Sequence, residues 1–236
     1  MERFHMINKL SRLFDLLTQI TKLPVARLCF YLDVNPDNVK PTYELFTKRH
    51  PRYKLFQNKS FGATLVDLAS FDTREEYLED IKGHNYGARH ARKAKSRGYF
   101  VVEIDRNNFI DDIHEINTSV EIRQGRPMDT SYLEKNSYYE PVRNFKYYGV
   151  LNSDGKLMAY CSLGFYGDFA AFDRLIGHRN NDRIMHLMVT EIICRLIEDG
   201  TLNYAMYDTY FGAKPGLKMF KTMLGFKPYR VKYSIR

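Results

Sequence analysis

The sequence predicts an α+β protein in which a central mixed, mostly antiparallel sheet is flanked by helices. Three observations carry this expectation. From Lys146 onward the hydrophobic periods follow the order β-β-β-α-β-α-β, which lays helices over a largely antiparallel sheet. The closing stretch from Leu202 to Tyr233 reads as a strand, a short amphipathic helix and a second strand. Hydrophobic residues make up 44% of 236 positions, enough to fill a substantial core, and this excludes global disorder.

Ile7, Leu10, Phe14, Leu17 and Ile20 recur at helical spacing and predict an amphipathic helix ending before Pro24. Ala26 to Val34 reads as a strand, followed by a turn region rich in Pro, Asn and Asp. Thr42 to Arg49 predicts a short helix stopped by His50-Pro51. Residues 1–60 thus read as an N-terminal helix-and-strand extension, and residues 61–236 as the main domain, the two forming one compact unit.

Phe61 to Leu68 is a β-type run. Asp72 or Thr73 then caps a helix from Arg74, with Glu75 and Glu76 placed against its N-terminal dipole. That helix runs toward Arg97 with a break near Gly83 or Gly87, and Gly98 stops it. Tyr99 to Ile104 is another strand, so this β-α-β reads as an added piece or a degenerate second copy. A helix begins at Asn108 and carries Ile110, Ile113 and Ile116. Glu121 to Val142 turns polar and Tyr-rich, interrupted by Gly125, Pro127 and Pro141.

Lys146–Leu151 and Lys156–Phe165 flank Ser153-Asp154-Gly155 and predict a hairpin, with Asp168–Ile176 as the third strand. Ile184 to Leu196 forms a helix ended by Asp199-Gly200. In the closing helix Leu217, Phe220, Met223 and Leu224 share one face; Gly225 ends it and Pro228 forbids its continuation.

A formal charge of +8 favours an anionic partner: nucleic acid, a phosphorylated cofactor or an acidic surface. A merely basic soluble protein accounts for it equally well. The aromatics are 18 Tyr and 16 Phe with no Trp, which suits either a Tyr-rich core or a half-wet cleft. Cys29, Cys161 and Cys194 are unpaired in spacing and read as core thiols in a reducing compartment. No apolar h-region opens the chain and no run is apolar for 18 residues, so the expectation is a cytoplasmic protein with no membrane partner. The 7 His residues show no ligand spacing, and no metal is expected.

A helix ending in Leu224-Gly225-Phe226-Lys227-Pro228 near the C-terminus resembles the closing motif of the GNAT superfamily of N-acyltransferases. A second resemblance lies upstream. The Asp67-Leu68 strand end, then a helix carrying Arg89-x-x-Arg92-Lys93-Ala94-x-x-x-Gly98, then a strand, is similar to the Fem-type aminoacyl transferases and their FemAB-like relatives. Together the two resemblances cover about 61–104 and 146–233. They imply a GNAT-like fold and transfer of an acyl or aminoacyl group from an activated donor to a primary amine.

The loop that holds coenzyme A pyrophosphate in many GNAT enzymes is Gly-rich, and its backbone N–H groups face the phosphates at a helix start. The corresponding stretch here, Gly177 to Ile184, lacks that glycine spacing. The donor is therefore left open between acetyl-CoA or another acyl-CoA and an aminoacyl-tRNA. His178, Arg179, Asn181 and Arg183 are the residues of that stretch expected to meet it, the arginines as charged forks. They serve equally well as surface loop residues.

Acyl transfer to an amine needs a base, donors for the oxyanion and an acid for the leaving group. Asp208 lies at the end of the penultimate strand between Tyr207 and Tyr210. The resemblance implies that Asp208 positions or deprotonates the amine while Tyr207 or Tyr210 serves as the acid; a structural cap is the other reading of Asp208. Asp173-Arg174 is a charged pair facing the same cleft, or a plain cross-strand salt bridge. Glu115 with Arg123 and Arg126 lies where GNAT proteins shape the acceptor pocket, the arginines suiting a carboxylate or phosphate. Arg89, Arg92 and Lys93 form either a solvated basic face or a salt-sensitive phosphate contact. Two further functions share the scaffold: modification of nucleic-acid bases, and non-catalytic nucleic-acid binding.

Overall fold

Near-continuous buried runs pair here into one sheet, with amphipathic helices closing over both of its faces. The computed structural model describes residues 21–51, 56–83, 86–123 and 126–236. The strands are β1 Val25–Phe30, β2 Phe61–Asp67, β3 Phe100–Glu103, β4 Ile122–Arg123, β5 Arg126–Pro127, β6 Phe145–Leu151, β7 Leu157–Phe165, β8 Phe169–Gly177, β9 Tyr204–Thr209 and β10 Lys227–Ile235. The helices are α1 Pro36–Thr47, α2 Arg74–Gly83, α3 Gly87–Ser96, α4 Ile110–Thr118, α5 Thr130–Leu133, α6 Ile184–Asp199 and α7 Pro215–Met223. The amphipathic helix expected over Ile7–Ile20 lies outside the described residues.

Eight strands form one sheet in the order β1-β10-β2-β9-β8-β7-β6-β3, and β4 with β5 makes a separate ribbon. β1 runs parallel to β10 and β8 parallel to β9, while the other neighbours are antiparallel. The mixed, mostly antiparallel α+β architecture is the one expected. The hairpin, the third strand and the closing β-α-β fall where the pattern put them.

Two elements differ from expectation. The Phe61 strand is no added piece: β2 is inserted between β9 and β10, inside the sheet. A strand's own pattern reports which faces it buries but not which neighbours it pairs with. Helix α1 starts at Pro36 instead of Thr42, with extended Asn35 before it and Asp37 in its first turn. Proline at the first helical position is a start signal, since its missing N–H would have no partner there. Pro41 lies inside the same helix, where it forgoes one intrahelical bond.

One face of the sheet packs under α2, α3 and α6, where Tyr77, Ile81, Ala88, Leu187 and Ile193 meet Val66, Val150, Leu163 and Phe226. The other face carries α1, through Val39 against Phe30, Leu65 and Phe169, and α4, through Ile113 and Ile116 against Leu157 and Ile176. Helix α6 is the most enclosed; its Leu187, Ile192 and Ile193 are buried. Each contributes about 1.5–3 kcal/mol by leaving water. The three thiols are free and buried.

Helix α3 approaches α6 through Ala88, Ala91 and Ala94, leaving its cations outside. Its first residue must be glycine, because a Cβ on Gly87 would lie 1.9 Å from the Met223 carbonyl oxygen. The closing corner is held from α2: the buried Tyr77 hydroxyl donates to the Leu224 carbonyl oxygen at 3.1 Å, just before Gly225 at φ +79°.

Candidate active site

The sheet opens between β8 and β9. Their parallel pairing runs from Phe169↔Tyr204 to Ala171↔Met206 and then stops, although both strands continue. A cavity of about 570 Å³ lies on the α1 face of this gap, walled by Asp173, Arg174, Tyr207 and Asp208 among others. A second, of about 280 Å³, lies on the α6 face and is lined by His178, Asn180, Arg183, Ile184 and His186. The two share Leu175, Tyr207 and Leu217, so they meet across the gap.

Both strands bordering the gap are bulged, and a bulge re-aims side chains. On β8, Ser162↔Arg174 is followed by Leu163↔Phe172, leaving Asp173 as the extra residue. Strand alternation is thereby broken, and the consecutive Asp173 and Arg174 both reach the larger cavity. On β9, Ala63↔Thr209 is followed by Leu65↔Met206, so Tyr207 and Asp208 together face the single residue Thr64. The buried Thr64 hydroxyl donates to the Tyr207 carbonyl and lies 3.3 Å from that of Asp208. Asp208 takes a left-handed conformation at φ +51°, uncommon for any residue but glycine and clustered at functional sites.

Of the three aspartates lining the larger cavity, the two on the sheet, Asp173 and Asp208, have different company. Asp208 is ion-paired with Lys59, and its side chain is 53% exposed. Asp173 has no cation within salt-bridge distance among the described residues. It is exposed on the bulge, and partial desolvation holds its carboxyl above the usual range, with Arg174 pulling back. Arg174 itself stacks over the Tyr132 ring at 4.9 Å.

Behind Tyr207 stands a residue that sequence reasoning missed. Lys221 of α7 is fully buried; its Nζ donates to the Thr209 carbonyl oxygen at 2.9 Å and sits 4.6 Å from the Tyr207 ring centroid. Burial pushes its ammonium down to about 8, with Asp208 drawing it up and Lys59 pressing it down further. A signal was available: Lys221 occupies the apolar face between Leu217 and Leu224, where a surface cation does not belong. The Tyr207 ring also packs against Phe172 and Phe226, each at 5.8 Å. Tyr210 lines neither cavity; its ring lies under Lys218 at 4.9 Å and beside Phe211 at 5.9 Å.

Of the loop residues expected to meet a donor, His178 and Arg183 line the smaller cavity, while Arg179 and Asn181 do not. Arg179 donates instead to the Ile122 carbonyl oxygen at 2.7 Å. The loop is pinned at Asp182, which accepts from Arg97 and, at 2.8 Å, from the Tyr99 hydroxyl. Arg183 precedes α6 in a left-handed conformation at φ +67°, and no side chain caps the helix there. The helix start and the guanidinium form an electropositive end wall. His186 follows, its ring 4.9 Å from that of His90 and 4.8 Å from that of Phe220. Burial drives the His186 imidazole down to about 4, aided by His90 and Arg183, so it is neutral near pH 7.

Arg89, Arg92 and Lys93 lie on the exposed side of α3 and line neither cavity. Their charge is felt nearby: after burial, Arg183, Arg89 and Lys93 together depress His90. Glu115 accepts from Lys156 at 2.8 Å through both oxygens, which holds its carboxyl low, and it lines neither cavity. Arg123 and Arg126 are register partners in the β4–β5 ribbon. The residues that follow, Pro127, Met128 and Asp129, form part of the larger cavity's wall. Among the described residues no three His, Cys, Asp or Glu side chains are grouped to hold a metal ion. No described helix is long and apolar enough to cross a membrane.

No protein-family model matches the chain, and no curated protein matches its sequence. Solved structures do. FemX is 12% identical over 71% of this chain and 59% of its own, with a TM-score of 0.54. L-PGS from Bacillus licheniformis is 12% identical over 70% of this chain and 57% of its own, with a TM-score of 0.45. A tandem GNAT protein from the clavulanic acid biosynthesis pathway is 17% identical over 72% of this chain and 50% of its own, with a TM-score of 0.44. The chain thus spans between half and three-fifths of the length of these structures. The likeness to FemX is one of fold, and the fold is GNAT-like.

Proposed function

We propose that this chain is an acyltransferase moving an acyl or aminoacyl group from an activated ester or thioester to a primary amine. The observation that carries the reading is the open β8–β9 gap, with cavities entering it from opposite faces and Tyr207 common to both. Two substrates can then meet at one carbonyl without sharing a binding surface, which is what transfer between them requires.

The donor enters from the α6 side, where the helix start and Arg183 receive its anionic part. The acceptor enters from the α1 side, where its proton passes to a carboxylate, Asp173 or Asp208. Tyr207 donates a hydrogen bond to the departing oxygen or sulfur, and the Lys221 charge behind its ring makes the phenol a stronger donor. Between the donor classes, the basic outer side of α3 beside the smaller cavity supports a polyanionic donor such as an aminoacyl-tRNA. The missing glycine spacing at 177–184 points the same way.

The test is transfer itself. The purified chain is incubated with acetyl-CoA or a mixed aminoacyl-tRNA pool, with n-butylamine as acceptor, and the amide is read by mass spectrometry. Amide from either donor is expected, and Tyr207→Phe should lower its rate by about 10²-fold or more. The reading is overturned if neither donor yields amide and neither raises the melting temperature.

A further inference from the structure

We propose that the larger cavity is a receptor for an alkylammonium group and that Asp173, not Asp208, is the carboxylate that takes the ammonium proton. The inference rests on the transferase reading above and deepens it by assigning the acceptor class and its base.

Bulging puts Asp173 where regular pairing would not. Ser162↔Arg174 and Leu163↔Phe172 leave it unpaired on β8, so it projects with Arg174 into the cavity. Its neighbouring cations act on it only through space. Arg174 is stacked over Tyr132 at 4.9 Å, and Lys59 across the cavity is paired with Asp208. Tyr166, just after β7, and Cys161 on β7 feel its negative charge, which, after burial itself, helps them retain their protons. Asp129 adds a second negative side chain to the wall, and Tyr132 and Tyr166 present aromatic faces. A carboxylate with no salt-bridge partner among the described residues, set among aromatic rings, is complementary to a substituted ammonium. Asp173 is also raised toward the range where a carboxylate is a useful base, whereas Asp208 is tied to a lysine.

In the step this implies, the ammonium gives one proton to the Asp173 carboxylate and becomes a free amine. Its lone pair forms the new C–N bond at the donor carbonyl, and the C–O or C–S bond of the donor breaks. The second nitrogen proton leaves with the donor's oxygen or sulfur, and Asp173 returns its proton to solvent through the open cavity.

The test separates binding from transfer. Binding of n-butylammonium chloride, with n-butanol and butyrate as neutral and anionic counterparts, is measured by NMR titration on wild type, Asp173→Asn and Asp208→Asn. Preference for the ammonium is expected in wild type, lost by about tenfold or more in Asp173→Asn and kept in Asp208→Asn. Asp173→Ser gives the same readout if the Asn protein melts early. Where transfer is observed, the deficit of Asp173→Asn at pH 7 should be about 10²-fold and shrink toward pH 10, as the amine deprotonates unaided. Equal ammonium binding by wild type and Asp173→Asn overturns the inference, as does no ammonium preference in wild type. Ammonium binding that depends on Asp173, without any amide formation, upholds the receptor and refutes the transferase.

Discussion

Asp173 on β8 and Asp208 on β9 each sit at a β-bulge on the wall of one cavity, yet their surroundings oppose each other. Asp208 is held in a left-handed backbone, ion-paired and half exposed. Asp173 is exposed too, but lies within β8 without a salt-bridge partner among the described residues, and partial desolvation raises its carboxyl. The same residue type is thus ion-paired on a left-handed backbone on one wall and, on the reading proposed above, the proton acceptor on the other. Position relative to the ladder decides which, because the bulge sets what each carboxylate can reach.

The largest expected effect tests what stands behind the β9 wall. Lys221→Met should cut transfer by about 10²–10³-fold, because it removes a positive charge from a water-poor site. The same variant should melt no lower than wild type, since a buried ammonium is expensive to desolvate. Its pH dependence is also specified. The folded ammonium titrates at about 8 and the unfolded one at 10.5, so the unfolded chain binds this proton more tightly. Stability therefore rises with pH between those values in wild type, and Lys221→Met should lack that slope in denaturant titrations.

A middle-sized effect probes the strain at Asp208. Asp208→Val forces a β-branched side chain into the left-handed region and should cost about 1–3 kcal/mol by chemical denaturation. Asp208→Asn, which tolerates that backbone, should lose little. Equal losses would mean that the Lys59 pair, and not the backbone, sets the wall. The smallest effect is expected away from both walls. Glu115→Gln breaks an exposed pair with Lys156 and should leave transfer rate and melting temperature unchanged. A drop in transfer would show that the acceptor path reaches α4.

Much of the scaffold was legible because local rules and tertiary packing agreed. The Gly98 and Gly200 stops are written in residues the structure holds at positive φ, and the break before Gly87 in a residue with no room for a Cβ. The Pro36 start was legible too, but proline was read only as a breaker. Lys221 is visible in the sequence as a cation on an apolar helical face, but the pattern alone does not say that it is buried. Arg179 and Glu115 show the converse: charge in a promising loop or helix, spent on Ile122 and Lys156. Nothing in their local sequence distinguishes a residue aimed at a cavity from one aimed at a carbonyl.

By itself the sequence determined the main strands and helices and their order outside 121–142, since hydrophobic period and helix stops act over one or two turns. Tertiary structure alone decided that β2 enters between β9 and β10, that β8 and β9 part after Ala171 and Met206, and that both walls bulge. Those choices depend on register between strands that lie far apart in the chain. A shift of one residue there turns a side chain from the core to the cavity, with no change in local pattern.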